Sequence, residues 1–266
     1  MSILQSLVLG IVQGLTEFLP ISSSGHLILI PHLFGWSDHS IAFGTTLHLG
    51  TVGALLVYFW EDLWGIVSSF KKDFLGKRLN FKKYSETSWL GLKILIGCVP
   101  AGILGILFSG VFEGVFRGVN PVVVFLILGS LLMLLAELLK VEKGDLSLGK
   151  SFVVGIFQSL ALFPGVSRSG ATISGGMLMG MSREAAAKFS FLLSIPIVIM
   201  AGVFELVSSS QIFHTISVAD FLIGFFASFL TGMFAIKFML GFLKTHKLYI
   251  FIVYRLVLVL FLLMVF

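Results

Sequence analysis

Residues 13–26 read QGLTEFLPISSSGH and interrupt an apolar stretch that runs from residue 3 to residue 34. The interruption leaves two arms of about 13–18 residues, whereas a helix that crosses a bilayer needs about 20 mostly apolar residues. Arms this short favour a re-entrant hairpin that enters and leaves the membrane on one side, with its irregular turn inside the protein or beside a water-filled cavity. A second apolar stretch, 151–182, is broken in the same way by PGVSRSGAT at 164–172. The sequence therefore predicts two re-entrant helical hairpins.

The composition excludes a soluble protein. Of the 266 residues, 57% are hydrophobic and 12% are charged, against about 25% charged residues in a typical soluble domain. This excess of apolar side chains excludes a cytosolic enzyme, a nucleic-acid-binding domain and a disordered chain, since disorder needs low hydrophobicity. The net charge of +5 then indicates loops that face anionic lipid. The one cysteine, Cys98, excludes an internal disulfide and gives no metal cluster.

Six further segments are long and apolar enough to span a bilayer: 41–60, 88–109, 119–139, 187–208, 217–240 and 247–266. Lysines are concentrated in the connections at 61–87, 140–150 and 241–246, which the positive-inside rule places in the cytoplasm. The first hairpin, 3–34, is then inserted from outside and the second, 151–182, from the cytoplasm. The predicted fold is an all-α integral membrane protein with an inverted-topology repeat. Repeat 1 (1–145) and repeat 2 (146–266) form one membrane domain.

An internal repeat supports this topology. Shifting the sequence by 145 positions aligns residues 6–28 with 151–173 without a gap, and 11 of the 23 positions are identical. In the first copy the identical positions are Ser6, Val8, Gly10, Ile11, Gln13, Leu15, Phe18, Ser22, Ser24, Gly25 and Ile28. Inverted repeats with broken helices place their binding site near the membrane midplane, at the interface of the repeats. We therefore expect the two hairpin tips to meet inside the protein.

The first tip places a carboxylate in an otherwise apolar arm. Glu17 lies four residues after Gln13, so both side chains are expected on one face of a helix. Burying an unpaired carboxylate is costly, so Glu17 is paired, protonated or metal-bound. An ionisable residue inside a membrane is a candidate for function.

Other polar residues in the predicted spans give weaker signals, among them His48, Glu137 and Asp220. His48 either lines the cavity at the hairpin tips or is a packed core histidine. Glu137 and Asp220 lie near the ends of spans, where we expect their side chains to reach the interface.

The second tip carries Arg168, which cannot lose its proton to avoid the cost of burial. Placing an arginine at the bilayer centre costs about 2.5–3.5 kcal/mol even on an insertion scale. Either Glu17 or a bound phosphate must offset that cost. Both tips end where a helix begins, and helix N-termini present free N–H groups to an anion. Together with the serine cluster 22–24 and His26, the tips contain the nucleophile, proton carrier and charge clamp of a phosphoryl-transfer site.

The two tip sequences resemble the signature motifs of the bacterial undecaprenyl-diphosphate phosphatases, the bacitracin-resistance family. The resemblance covers GLTEFLPISSSGH at 14–26 and PGVSRSGAT at 164–172, and the pattern of spans extends it over essentially the whole chain. It implies hydrolysis of undecaprenyl diphosphate to undecaprenyl phosphate and inorganic phosphate, which regenerates the lipid carrier of peptidoglycan synthesis. It also implies an enzyme of the bacterial inner membrane whose active site opens to the periplasmic side.

The same resemblance implies roles for individual residues. Glu17 matches the essential carboxylate and is the assigned metal ligand, Ser23 matches the proposed nucleophile, and His26 matches the essential histidine. Arg168 belongs to the phosphate-binding tip, and the family implies a divalent cation, Mg²⁺ or Ca²⁺. The other motif positions imply contacts with substrate; they are Gln13, Ser22, Ser24, Gly25, Ser167, Ser169, Gly170 and Thr172. Gln13 stands where the family accepts Glu or Gln, and Gly44 stands where many relatives carry an acidic residue, which removes one metal or substrate contact.

Several alternatives stay open from the sequence. The nucleophile is Ser23, His26 or a water molecule with Glu17 as its base. Inverted repeats and broken helices are also transporter architecture, so a lipid-phosphate flippase is the alternative function. Type-2 phosphatidic acid phosphatases fit less well, because their further motif needs a histidine six residues after the arginine, where this chain has Ser174. The expected partners are a polyprenyl diphosphate and membrane lipids without nucleic acid, and the sequence leaves open whether the chain forms a homodimer.

Overall fold

The computed structural model describes residues 1–37, 40–77, 80–116, 118–141, 144, 146–208 and 217–265, without the side chains of 41, 42, 109–115 and 204–208. In this part of the chain the α-helices are α1 (Ile3–Phe18), α2 (Ser23–Phe34), α3 (Ile41–Tyr58), α4 (Trp60–Lys77), α5 (Glu86–Val115), α6 (Val119–Leu139), α7 (Leu148–Ser159), α8 (Arg168–Leu178), α9 (Arg183–Ser208), α10 (Val218–Phe242) and α11 (Tyr249–Val265). Two short 3₁₀ helices lie at Phe81–Lys83 and Leu160–Leu162. Residues 209–216 and two residues of the basic connections, Arg78 and Lys143, lie outside the described residues.

Four helices are candidate membrane spans by length and composition: Glu86–Phe108, Val119–Leu139, Arg183–Val203 and Val218–Phe242. α3 and α4 pass the same test only as a pair, and they are bent by 71° at Phe59, so they add at most a fifth span. The apolar helix α11 has 17 described residues. The predicted all-α membrane fold is therefore confirmed at the level of four to five candidate spans. The finer topology of six spans stays a prediction.

The surface of the candidate spans is strongly apolar. Ile106 and Leu107 of α5, Leu138 of α6, Leu230 and Phe234 of α10 are each more than 60% exposed. Apolar patches of this kind are rare on soluble monomers, because water solvates them poorly. The exterior of the helices thus agrees with the composition in requiring lipid as the surrounding solvent.

Each predicted hairpin consists of two helices joined by a turn that contains proline. α1 ends at Phe18, two residues before Pro20, and α2 begins at Ser23. The second turn contains Pro164 and ends where α8 begins, at Arg168. Proline lacks an N–H group and restricts the residue before it, so a helix does not continue through such a turn. The four helices α1, α2, α7 and α8 have 11–16 residues, which is too short to cross a bilayer alone.

The two turns have the same backbone conformation at their last residue. Ser22 has φ +77° and Ser167 has φ +76°, in the left-handed region that non-glycine residues rarely occupy. Each serine caps the following helix, because its hydroxyl accepts the N–H of Gly25 or Gly170 at 3.2 Å. Strained backbone of this kind costs about 1–3 kcal/mol and is concentrated at functional sites. The strain therefore marks both turns as candidates for function.

The second hairpin tip lies at the centre of the molecule. α8 packs against α6, α7 and α9, and all of its residues from Ser169 to Met177 are buried. α10 packs along α1 and α3, and α5 packs along α7. The first tip reaches this core through Phe18, whose ring meets Phe191 of α9 edge to face, with 5.4 Å between the ring centroids. The packing brings both tips to one place.

The expectation for two acidic residues near helix ends is wrong. Glu137 does not reach the interface, because its side chain is fully buried and accepts hydrogen bonds from Arg183 Nε and from the N–H of Leu248, both at 2.8 Å. Asp220 is also buried and accepts the Ser6 hydroxyl at 2.6 Å. Donors inside the protein satisfy both carboxylates, so neither needs to extend to water.

Candidate active site

The two turns place Ser23 and Arg168 at equivalent positions. Ser23 is the first residue of α2 and Arg168 is the first residue of α8. The caps Ser22 and Ser167 each satisfy one N–H of the following helix, and other N–H groups of the first turn remain available at each tip. The positive end of a helix dipole favours negative charge at this position. Each tip thus presents a reactive or charged side chain beside a helix end that favours an anion.

Glu17 joins the two tips. Its Oε1 accepts a hydrogen bond from Arg168 Nη2 at 2.9 Å, across 151 positions of sequence. Its Oε2 accepts the Ser23 hydroxyl at 2.7 Å and the Gln13 amide at 3.0 Å. The side chains of Glu17 and Arg168 are only 6% and 13% exposed. The structure therefore brings together Glu17, Ser23 and Arg168, three of the four residues that the sequence predicts to be catalytic.

The two terminal nitrogens of the Arg168 guanidinium differ in their hydrogen bonding. Nη2 binds Glu17, whereas Nη1 is buried and has no hydrogen-bond partner among the described residues. A buried polar group without a partner costs about 1–3 kcal/mol, and more when it is charged. An arginine presents its donors in a planar fork that matches phosphate oxygens. The free Nη1 therefore marks a position for an anionic group.

Gln13 and His48 form the edge of the site beside Glu17. Gln13 Nε2 lies 3.0 Å from His48 Nδ1, and the same imidazole nitrogen lies 3.9 Å from Glu17 Oε2. The His48 side chain is 43% exposed, while Gln13 is fully buried. Of the two interpretations that the sequence left open for His48, the structure supports the one in which it borders the site.

His26 is not hydrogen-bonded to the Glu17 cluster. Its Nδ1 lies 2.7 Å from the carbonyl oxygen of Ser22, and its Nε2 lies 2.7 Å from the hydroxyl of Tyr254 on α11. Ser23 instead donates to Glu17. Of the two proton carriers predicted for the site, Glu17 is therefore the one that contacts the serine hydroxyl.

The remaining predicted residues mostly shape the turns. Ser24 contacts the Ser22 hydroxyl at 3.3 Å, and Ser167 contacts Ser169 at 3.2 Å. Ser169 also donates to the carbonyl of Leu19 at 3.2 Å, which ties the second tip to the first. The Thr172 hydroxyl donates to the carbonyl oxygen of Arg168 at 2.8 Å and contacts the Ser190 hydroxyl of α9. Gly25 and Gly170 contribute through their capped N–H groups.

Comparison with known proteins assigns the chain to a family. The family model described as bacitracin resistance protein BacA matches residues 6–261. The chain belongs to the BacA family. The undecaprenyl-diphosphatase of Myxococcus xanthus (strain DK1622) is 41% identical over 264 residues, which cover 96% of this chain and 86% of the relative. Proteins of the same name from Chloroherpeton thalassium (strain ATCC 35110 / GB-78) and Caldicellulosiruptor bescii (strain ATCC BAA-1888 / DSM 6725 / KCTC 15123 / Z-1320) are also 41% identical, over 99% and 96% of this chain and 96% and 94% of their own lengths.

The side chains of this BacA-family site do not fit a divalent cation on their own. Within the described ranges, no three His, Cys, Asp or Glu side chains are grouped so that they could hold a metal ion. Both oxygens of Glu17 already accept hydrogen bonds, and the positive charge of Arg168 at 2.9 Å opposes a second cation there. Gln13 Oε1 is buried without a partner, but one amide oxygen is a weak basis for a metal site.

Two residues of α11 were missed by the sequence reasoning. Tyr254 contacts His26, and Arg255 is completely buried and donates to backbone carbonyls of both turns. The signal for Arg255 was present, because an arginine in an apolar helix has the same cost of burial that identified Arg168 in this BacA-family chain. Nothing local to residue 254 indicates its contact with His26, which lies 228 positions away.

Proposed function

We propose that the chain is an undecaprenyl-diphosphatase, which hydrolyses undecaprenyl diphosphate to undecaprenyl phosphate and inorganic phosphate. The reaction returns the lipid carrier to peptidoglycan synthesis and thereby confers bacitracin resistance, the property for which the family is named. The three relatives carry this enzyme name at 41% identity over at least 96% of the chain. The observation that carries the proposal is the Arg168 guanidinium, which holds Glu17 through Nη2 and leaves the buried Nη1 free for an anion beside Ser23.

The two tips supply the donors for the diphosphate. Arg168 Nη1 binds an oxygen of the terminal phosphate, and the free N–H groups at the N-termini of α2 and α8 bind the others. The head group then lies between helix ends that come from two different hairpins. The polyprenyl chain stays among the lipid tails, which the apolar exterior of the protein already contacts.

Ser23 begins the chemistry. Its Oγ attacks the terminal phosphorus while Glu17 Oε2, 2.7 Å away, takes the hydroxyl proton. The bond from that phosphorus to the bridging oxygen breaks, and undecaprenyl phosphate leaves with the proton returned by Glu17. In the second half of the reaction, Glu17 takes a proton from a water molecule that attacks the phosphoserine. Inorganic phosphate leaves, and Glu17 returns this proton to Ser23 Oγ.

Charge stabilisation is the main contribution of the site, because phosphoryl transfer depends on positioning and electrostatics more than on covalent chemistry. Arg168 meets the negative charge on the transferred phosphoryl group, and the dipoles of α2 and α8 add to its effect. The alternative is direct attack by water with Glu17 as the base. The same residues then hold the phosphate, and only the phosphoserine is absent.

We also propose six spans and two re-entrant hairpins related by an inverted repeat, in the bacterial inner membrane, with the site open to the periplasm. Lysines at 61–87, 140–150 and 241–246 support the orientation. Cysteines introduced at the exposed residues Ser37 and Lys82 test it. A membrane-impermeant thiol reagent should label Ser37→Cys in intact spheroplasts and Lys82→Cys only after lysis. The reverse pattern would contradict the orientation, and the buried Cys98 gives the background.

Release of phosphate by the purified protein tests the activity. Wild-type protein in detergent or nanodiscs should release inorganic phosphate from undecaprenyl diphosphate, and Arg168→Ala should not. The Arg168 variant must elute from size exclusion like the wild type for the comparison to count. A lipid flippase releases no phosphate, so a folded wild-type protein without turnover would favour that alternative over the phosphatase.

A further inference from the structure

Two consecutive residues of α11 connect this helix to both hairpins. Tyr254 and Arg255 lie in the middle of α11, whose other residues from Tyr249 to Val265 are almost all apolar. Tyr254 contacts His26 of the first hairpin. Arg255 contacts the backbone of both turns. Neither residue belongs to the two tip motifs.

The Ser22 carbonyl and the Tyr254 hydroxyl hold the His26 imidazole from two sides. A carbonyl oxygen can only accept, so the contact with Ser22 O assigns the proton of the neutral imidazole to Nδ1. Nε2 is then an acceptor, and the Tyr254 hydroxyl donates to it at 2.7 Å. The two rings are nearly parallel, at 12°. The Ser22 carbonyl therefore sets the tautomer, and the Tyr254 hydroxyl holds the orientation of an imidazole that lies one helical turn from Ser23.

The Arg255 guanidinium binds carbonyl groups instead of a carboxylate. Nη1 donates to Pro20 O at 3.3 Å and to Val166 O at 3.1 Å, and Nη2 donates to Gly165 O at 2.8 Å. Pro20 belongs to the first turn, whereas Gly165 and Val166 belong to the second. In the part of the chain that the structure describes, Arg255 forms no ion pair. Its charge is satisfied by hydrogen bonds that join the two turns.

α6 supplies the rest of the Arg255 environment. Nε donates to the Ser130 hydroxyl at 2.9 Å, and Nη2 also donates to Leu126 O at 2.9 Å and to Phe125 O at 3.4 Å. The guanidinium fits here because residue 129 is glycine. A Cβ at Gly129 would lie 2.4 Å from Arg255 Nη2 and 2.6 Å from Val166 O. The close approach of α6, α11 and the second turn thus requires a residue without a side chain.

A buried ion pair fixes the start of α11. Glu137 of α6 pairs with Arg183 of α9, and it also accepts the N–H of Leu248, the residue before α11, at 2.8 Å. This contact ties the N-terminus of α11 to two candidate spans. The helix that carries Tyr254 and Arg255 is therefore held at one end and cannot shift freely along its axis.

We propose that Tyr254 and Arg255 are positioning residues of the active site, with Tyr254 holding the His26 ring in one orientation and Arg255 joining the two turns that carry Ser23 and Arg168. The proposal rests on the proposed phosphatase activity. In this arrangement α11 sets the distance between the hairpins, so that Glu17 meets Ser23 from its own hairpin and Arg168 from the other. Small displacements of a catalytic group from its productive position cost up to about 10²-fold in rate.

Tyr254→Phe tests the first half with the loss of one oxygen atom. We expect kcat for phosphate release to fall about tenfold or more, because His26 is no longer fixed, and KM to stay within about twofold. The matched control is Tyr249→Phe on the same helix, at a partly exposed residue that we expect to leave both constants unchanged. Tyr254→Phe with wild-type kcat would overturn this half. A rise in KM at unchanged kcat would also overturn it, since that result indicates a substrate contact.

A spectroscopic measurement separates this inference from the proposed function. In ¹⁵N-histidine spectra of the folded protein, with His26 assigned by comparison with His26→Asn, wild-type His26 should be the Nδ1–H tautomer with a hydrogen-bonded Nε2. Tyr254→Phe should shift the Nε2 resonance toward that of an imidazole nitrogen that accepts no hydrogen bond. This result needs no turnover. Absence of phosphate release by the wild type would count against the phosphatase alone. An unchanged His26 Nε2 resonance in Tyr254→Phe would count against the positioning role alone.

Arg255→Lys tests the second half. Lysine keeps the charge, but its compact ammonium cannot bind carbonyls of both turns as the arginine fork does. We expect kcat to fall at least about tenfold in protein that still elutes and unfolds like the wild type. Should this variant not fold, Gly129→Ala displaces the guanidinium instead, with Gly105→Ala as its control because the nearest atom to a Cβ there is 3.8 Å away. A folded Arg255→Lys or Gly129→Ala with wild-type kcat would overturn this half.

Discussion

Arg168 Nη2 lies 2.9 Å from Glu17 Oε1 and thereby joins two hairpins that are far apart in the sequence. Burying either charge alone in an apolar environment would cost free energy, and in the pair each charge offsets the cost of burying the other. The pair also leaves Arg168 Nη1 without a hydrogen-bond partner among the described residues. A phosphate that binds there lies next to Ser23 and Glu17, which are the nucleophile and the base of the proposed reaction.

Arg168→Lys should lower kcat/KM about 10²–10³-fold, the usual effect of losing a group that stabilises the charge of a transition state. Lysine keeps the charge, but it cannot hold Glu17 and a phosphate with the two sides of a planar fork. Phosphate release from undecaprenyl diphosphate is the measurement. Lys188→Ala, which removes a half-exposed ion pair with Asp62, is the control and should keep wild-type rates. An Arg168→Lys enzyme within twofold of the wild type would contradict the role of the fork.

Glu17→Gln should reduce kcat at least about 10²-fold, because the amide has the same shape as the carboxylate but cannot take the proton of Ser23. KM should not rise, since the change also removes a negative charge from a site that binds an anion. Steady-state kinetics separate the two constants. Glu184→Gln, at an exposed carboxylate that pairs with Lys244, serves as the control. A rise in KM with unchanged kcat would show that Glu17 only binds substrate.

Ser23→Ala separates the two mechanisms that the site allows. With Ser23 as the nucleophile, the variant should lose turnover, and acid-quenched wild-type enzyme should carry labelled phosphate from substrate labelled at its terminal phosphate. With direct attack by water, Ser23→Ala keeps measurable turnover and no phosphoserine forms. The control is Ser68→Ala, whose exposed hydroxyl donates to the carbonyl of Gly65. Wild-type turnover by Ser23→Ala would remove Ser23 from the mechanism.

Glu137→Gln should destabilise the protein by about 3–5 kcal/mol, because it leaves the Arg183 charge without its buried partner. The Glu137 side chain is fully buried in this pair and that of Arg183 is 21% exposed. The Lys244–Glu184 pair is about half exposed, so Glu184→Gln should cost about 0–1 kcal/mol. Unfolding of both variants in the same detergent gives the comparison. Equal stability of the two would contradict the anchoring of α11 by Glu137.

The centre of the site was predictable from sequence because burial makes its residues costly. Glu17 and Arg168 stand in apolar arms, where each needs a partner or a ligand, and the serine-rich turns mark helix starts. The contacts of Tyr254 and Arg255 were not predictable, since they depend on how α11 packs against elements more than 80 positions away. The residues next to 254 and 255 in the sequence do not indicate contacts with such remote positions.

The bend between α3 and α4 shows a second kind of limit. The predicted span 41–60 runs through Phe59, where the structure turns by 71°. The neighbours of Phe59, Tyr58 and Trp60, are both large and aromatic, so the hydropathy pattern does not mark a turn before Glu61 and Asp62. Burial of Phe59 against Phe191, with 6.5 Å between the ring centroids, is a tertiary contact that the pattern does not reveal.

An experimental structure of the wild-type protein with vanadate bound tests most directly whether both hairpins form one phosphate site. We predict that vanadate lies between Ser23 and Arg168, with its oxygens on Arg168 Nη1 and on N–H groups from the starts of both α2 and α8. Vanadate bound to one tip alone, or bound away from the Glu17–Arg168 pair, would contradict the account.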